Sequence, residues 1–290
     1  MSFTTYIESW NTISPVTVVL DMINKGALSK NSRIVLSFAS FNFDSTSYLP
    51  GIENMTMSDI VDLTTIIHKA GAKISLSIGG ATYPFAGSDL YSRPGDLAYN
   101  INSMLNSCGF DGVDFDIEDS YTTVPTDFAV QAASLINTLR SLNSGLYITL
   151  TTPAQAWGDG MYQQDLLNMT VGNINAWQPM EYDLWIDPSN TYYSQIQWDI
   201  NYYINTWKVS PSKIVLGLMP GQDDMKHDLT LQDALNLTSI SQALGLQGLM
   251  TWDINFDYDA IDGNAQYAYA MGIQSLLNKK NEVEGCCIIV

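Results

Sequence analysis

Short apolar runs recur along the chain at 3–7, 34–41, 73–78, 112–117, 146–151, 175–180, 213–219 and 246–252. Between them lie longer segments whose apolar positions repeat at helical spacing: 16–24, 57–70, 97–108, 128–142, 193–207, 231–244 and 265–278, with a short one at 161–169 after the fifth run. Gly71, Gly109, Gly145 and Gly245 stand just past four of these segments, where a left-handed C-terminal cap is expected. Eight alternating β–α units with strands apolar on both faces predict a parallel sheet covered by helices and closed into a single (β/α)8 TIM barrel. An open doubly wound sheet is the alternative, but it calls for a glycine-rich phosphate loop after the first strand. Glu8-Ser9-Trp10-Asn11 stands there instead. Residues 220–245 hold only a loop and one helix, so no domain is inserted between the seventh and eighth strands and the cleft is expected to be open and shallow. The barrel is expected over 1–278 and a flexible tail over 279–290.

The fourth run breaks the apolar rule. Asp114, Asp116 and Glu118 alternate with Val113, Phe115 and Ile117, so on a strand the three carboxylates share one side, the barrel interior and its mouth. Facing outward they would meet the helices while the apolar residues filled the barrel centre, which inverts the pattern. A cation site is a second alternative, but stacked carboxylates on one strand without histidine make a poor closed ligand set. Like charges in line disfavour each other's ionisation, so at least one should keep a proton near neutral pH and serve as a general acid.

Composition narrows the partner. The 290 residues carry 12 basic and 30 acidic side chains, a formal net charge of −18, yet only 14% are charged. Such a field repels phosphates, which excludes nucleic acid. The polar remainder is largely Asn, Ser, Thr, Gln and Tyr, a surface suited to a neutral, hydroxyl-rich ligand. Three cysteines make no disulfide framework, and Cys108 is expected to be buried. His68 and His227 are far apart, with no cysteine nearby, so no zinc site, histidine triad or cofactor is expected. His68 is expected in the exposed last turn of a helix.

The segment Asp111-Gly-Val-Asp114-Phe-Asp116-Ile-Glu118 resembles the Asp-x-x-Asp-x-Asp-x-Glu signature of glycoside hydrolase family 18, the chitinases and their relatives. The resemblance continues in Ser75 to Gly80 (a Ser-x-Gly-Gly motif carrying Ser77, Gly79 and Gly80), in Tyr6-Ile-Glu-Ser-Trp10, in Met180-Glu-Tyr182-Asp183 and in Gly248-Leu-Met-Thr-Trp252. It implies a retaining hydrolase in which the substrate's own 2-acetamido group is the nucleophile. Glu118 is then the acid and base, Asp116 orients the acetamido group, and Asp114 shares a proton with Asp116. Tyr182 donates to the acetamido oxygen, and Trp252 floors the distorted ring. Tyr6, Met180 and Asp183 are implied as further substrate contacts, with Trp10, Trp157 and Trp185 as outer sugar subsites. Asp111, Ser77, Gly79 and Gly80 are expected to support the site. The implied partner is an N-acetylglucosamine glycan: chitin or its oligomers, or alternatively the chitobiose core of N-glycans. A lectin on the same barrel is a third alternative, set against the presence of Glu118. The chain is expected to be a monomer.

No cleaved leader is visible at the start of the chain. The tail, Cys286-Cys287-Ile288-Ile289-Val290, fits a prenylation pattern on Cys287, with Cys286 as a second acylation point. The expectation is a cytoplasmic protein, anchored to a membrane if lipidated; export without a leader is the alternative. Lys279 and Lys280 offset little of the charge that anionic lipids would repel.

Overall fold

The computed structural model describes residues 1–43, 49–154, 161–186, 190–260 and 263–285, with side chains as far as 278. Eight parallel strands close a barrel in the order β1-β10-β7-β6-β5-β4-β3-β2. They are β1 (Ser2–Glu8), β2 (Ser32–Ala39), β3 (Lys73–Gly79), β4 (Gly112–Asp116), β5 (Tyr147–Pro153), β6 (Ala176–Met180), β7 (Val215–Leu218) and β10 (Gly248–Thr251). The outer helices are α1 (Pro15–Lys25), α2 (Met57–Lys69), α3 (Pro94–Cys108), α4 (Phe128–Leu142), α5 (Tyr162–Thr170), α6 (Tyr192–Asn205), α7 (Leu231–Leu244) and α9 (Ala268–Gly285). Two further pieces have no counterpart in the hydrophobic pattern. A two-stranded hairpin, β8 (Gly221–Gln222) with β9 (Asp228–Leu229), follows β7, and a short helix, α8 (Ile254–Asp259), follows β10. No domain intervenes between β7 and β10, as expected.

The single-fold reading therefore holds, with adjustments at the edges. Proline sets the first turn of α1 and α3, because it needs no N–H there and its φ is already helical. Thr56 and Thr191 close capping boxes on α2 and α6, and Thr230 caps α7. Gly71, Gly109 and Gly245 take the expected left-handed conformation, whereas Gly145 does not. After α4 the chain leaves through an extended Asn143 whose N–H donates to the Leu139 carbonyl (3.0 Å), and the guanidinium of Arg140 holds the loop that follows, donating to the carbonyls of Ser144 (2.9 Å), Leu146 (2.7 Å) and Asn173 (2.8 Å) and to Asn175 Oδ1 (2.6 Å). Backbone of α9 continues to Gly285, into the stretch expected as tail, while Cys286 and Cys287 lie outside the described residues.

Two apolar clusters hold the barrel. The larger lies between strands and helices and takes Val113, Phe115 and Ile117 from β4 and its C-terminal edge. The smaller fills the interior and mouth with Tyr6, Val35, Phe38, Met180, Tyr182, Met219 and Met250, against which Trp252 packs. Inward and outward alternation along β4 is thus as the sequence pattern predicts, and the register puts Ser77 and Thr149 level with Asp114, and Gly79 and Thr151 level with Asp116.

Candidate active site

Asp114 is the deepest of the three acids and is fully buried. Its Oδ2 accepts from Tyr6 (2.7 Å) and Ser77 (2.7 Å), and its Oδ1 from Thr149 (2.6 Å), Thr151 (2.7 Å) and Gln178 (3.3 Å). Burial raises its carboxyl pKa above the usual range, and the hydroxyl donors pull it back. These donors come from β1, β3, β5 and β6, so one carboxylate ties four other strands together at mid-barrel. None of the five is Asp116, so the proton expected between the two acids is not needed to satisfy Asp114.

One layer higher, Asp116 lines the cleft at 2% exposure, and its Oδ1 has no hydrogen-bond partner. Burial, then the charges of Glu118 and Asp114, push its carboxyl well above the ordinary value. An unpartnered buried oxygen costs on the order of 1–3 kcal/mol, and an entering N–H would recover that. Beyond the strand, burial lifts Glu118 to about 7, helped by the charges of Asp183 and Asp119 and opposed by the backbone N–H of Ala81. An acid with that value is half protonated near neutrality, where it can both give and take a proton. Asp119 itself is held by the amides of Phe85 (3.0 Å) and Ala86 (2.9 Å), which fixes the turn carrying Glu118.

The cleft, about 430 Å³, is lined by aromatic and acidic side chains. Trp252 lies parallel to Phe38 (centroids 5.4 Å apart, 14° between planes), and Phe38 in turn to Trp10 (5.7 Å, 20°). These rings form a tiered apolar surface, with Trp10 37% exposed at the outer end. Met180, Tyr182 and Asp183 line the cleft together with Asp116 and Glu118. Flat rings beside polar groups suit a sugar, whose C–H face is apolar and whose edge carries hydroxyls.

Room for Asp116 depends on Gly79. A Cβ there would stand 2.0 Å from the Asp116 carbonyl oxygen, and its φ of +117° is one that side-chain-bearing residues rarely adopt. Gly79→Ala is therefore expected to force β3 and β4 apart at the site and lower the thermal midpoint by several degrees, about 10 °C or more, as followed by circular dichroism. A midpoint within a degree of the parent would contradict this packing.

Comparison with protein families matches residues 2–239 to the glycosyl hydrolases family 18 model. The chain belongs to glycosyl hydrolase family 18. Solved structures of the same fold include the catalytic domain of a hyperthermophilic chitinase from Pyrococcus furiosus (17% identity, TM-score 0.72, 96% of this chain and 95% of that one). A family 18 chitinase from Pseudoalteromonas aurantia (20%, 0.72, 96% and 99%) and a Group IV chitinase from Ostrinia furnacalis (14%, 0.72, 96% and 99%) are similar in the same way. No curated protein sequence matches.

Within the family 18 frame, the geometry sorts the expected residues. Asp116, Glu118, Met180, Tyr182, Asp183, Trp10 and Trp252 share the cleft. Tyr6 does not contact substrate space: it is 1% exposed and its hydroxyl is spent on Asp114, with Thr151 3.0 Å away. Asp111 is not near the site either. It precedes β4 at the opposite end of the barrel, where its carboxylate meets Lys73 (2.7 Å), His68 (2.8 Å) and the amide of Ile74 (3.0 Å). Being part of the signature in sequence, it locks the start of β4 to β3 and α2. Ser77 and the two glycines lie beside the acids: Ser77 donates to Asp114, Gly79 abuts the Asp116 carbonyl, and a Cβ at Gly80 would strike the Phe38 ring at 2.8 Å. Trp185 is 58% exposed and is not among the cleft-lining residues; Trp157 lies outside the described residues. Phe38, Glu53, Thr82 and Tyr83 line the cleft without having been singled out. Phe38 reads in sequence as one more apolar strand residue, and the other three sit in loops with no pattern to mark them.

Proposed function

We propose that this family 18 member hydrolyses β-1,4-linked N-acetylglucosamine, as chitin or chito-oligosaccharides, with retention of configuration. The observation that carries this is Asp116: a buried acid with one oxygen unpartnered in an aromatic-walled cleft, next to a general acid poised near neutrality. What Asp116 lacks is an N–H, and the 2-acetamido group of N-acetylglucosamine provides one. The solved chitinases of the same fold support the substrate class.

In the first step Glu118 gives its proton to the glycosidic oxygen as the bond to C1 breaks, and the acetamido oxygen closes on C1. Asp116, hydrogen-bonded to the acetamido N–H, turns that oxygen toward C1 and offsets the positive charge of the oxazolinium ion. Tyr182 donates to the acetamido oxygen, and Trp252 supports the ring. In the second step the Glu118 carboxylate takes a proton from water, whose oxygen attacks C1 on the face the leaving group vacated. The ring opens, the acetamido group is restored, and two inversions give net retention.

A thiazoline mimic of the cyclised intermediate should inhibit competitively and bind more tightly than N-acetylglucosamine by at least about 10²-fold, as transition-state and intermediate mimics do. Titration calorimetry with both ligands checks this, and equal affinities would argue against assistance by the acetamido group. Incubation with chitin oligomers and, separately, with a high-mannose glycopeptide, products read by mass, fixes the substrate. Shortened oligomers support the reading, cleavage of the glycopeptide alone shifts it to an endo-β-N-acetylglucosaminidase, and binding without products from either favours a lectin.

A further inference from the structure

We propose that Asp223 and His227 form a clasp that sets Asp183 in the cleft, which makes Asp223 a positioning residue for the reaction. The inference rests on the reading of the cleft as a site of glycoside hydrolysis. Asp223 opens the turn between β8 and β9 and is only 2% exposed, although it touches no cleft space and the reaction steps do not use it. Its Oδ2 accepts the backbone N–H of Asp183 (2.8 Å), and its Oδ1 accepts that of His227 (2.8 Å). His227 Nδ1 lies 3.1 Å from Oδ2, as a donor in the matching tautomer. Asp183 returns the contact, its own Oδ1 accepting the N–H of Asp224 (2.7 Å). The His227 ring packs against Tyr192 (5.2 Å between centroids), whose hydroxyl donates to the carbonyl of Glu181 (2.6 Å), two residues before Asp183. The hairpin thus grips the turn after β6 at two points.

Asp183 needs holding. Its φ is +55°, a left-handed conformation uncommon outside glycine. Asp223 also repels it electrostatically. That repulsion is tolerated because three donors converge on one side chain, and a carboxylate accepts all three where an asparagine has a single acceptor oxygen. The charge of Asp183, kept in place, is one of the causes that raise the Glu118 carboxyl. Asp183 faces Asp223 and Asp224 from the hairpin turn and Glu118 from the turn after β4, while Glu118 also faces Asp119 and Asp116.

The test compares the parent with Asp223→Ala, Asp183→Ala and the double variant on N-acetylglucosamine oligomers across pH. Asp223→Ala should lower kcat/KM by about 10- to 100-fold, the scale of a displaced cleft group. Its alkaline limb should move to lower pH, since Glu118 loses a nearby negative charge. The double variant should be no worse than Asp183→Ala alone, because Asp223 acts through that residue. A crystal structure of Asp223→Ala should show Asp183 out of the left-handed region. Additive losses, an unmoved alkaline limb or an unchanged Asp183 would overturn the proposal. If Asp223→Ala does not fold, Asp223→Asn carries the same readouts, having lost the second acceptor oxygen. If the parent hydrolyses no oligomer, the functional reading falls, and the conformation of Asp183 in the variant crystal still decides the clasp.

Discussion

Glu118→Gln should reduce hydrolysis of chito-oligosaccharides by about 10²–10⁴-fold, the usual contribution of a positioned general acid, while leaving the fold intact. The amide fills the same space and keeps an acceptor for the Ala81 N–H, but has no proton to give to the leaving oxygen. Stability should move the other way. The folded Glu118 holds its proton more tightly than an unfolded glutamate, with a value of about 7 against 4.5. Ionising it therefore disfavours the folded state: the cost is absent below about pH 4.5, grows through pH 7 and is complete above that. It amounts to about 3 kcal/mol at most, less whatever solvent access relieves. Glu118→Gln should accordingly be more resistant to urea than the parent at pH 8 and equal to it at pH 4. Parental kcat in the variant would remove Glu118 from the mechanism, and equal urea midpoints at pH 8 would remove the account of its environment. The same value predicts that parental kcat/KM is level in mildly acidic solution and falls as pH rises past about 7, where the acid loses its proton.

Asp116→Asn should lower kcat by about 10²–10³-fold with little change in KM. The asparagine oxygen can still accept the acetamido N–H, so the sugar binds as before. What is lost is the negative charge that balances the oxazolinium ion, and that charge is felt only as the ion forms. Removing a group that acts mainly on the transition state lowers kcat and kcat/KM together. Steady-state kinetics on a soluble oligomer separate the two constants. A raised KM with parental kcat would make Asp116 a simple binding residue.

The carboxylates along β4 and just past its end were legible because two constraints conflict there: strand alternation demands a side for every residue, and only the barrel interior and its mouth accept three acids. The barrel itself was legible from the repeat of apolar runs, which no open sheet without a phosphate loop explains as well. Tyr6 and Asp111 were misplaced for one reason. A motif gives order along the chain, but not depth along the barrel axis. Tyr6 turns its hydroxyl inward to Asp114 and so never reaches the cleft, while Asp111 falls on the far side of the strand start. Asp223 left no trace in the pattern, since it lies in a polar loop whose partner, Asp183, is distant in sequence and whose conformation only the folded chain reveals. Gly145 likewise is not the cap that spacing alone favoured, because the chain leaves α4 through an extended Asn143.

In substrate-assisted hydrolysis the acetamido oxygen attacks C1 while Glu118 acts as acid and then base. Proton magnetic resonance of a chito-oligosaccharide during the first minutes of digestion tests it most directly, because it records cleavage and the anomer of each new reducing end together. The β-anomer should appear first and relax later to the equilibrium mixture. Initial release of the α-anomer would contradict retention, and an intact oligomer would contradict hydrolysis of this substrate.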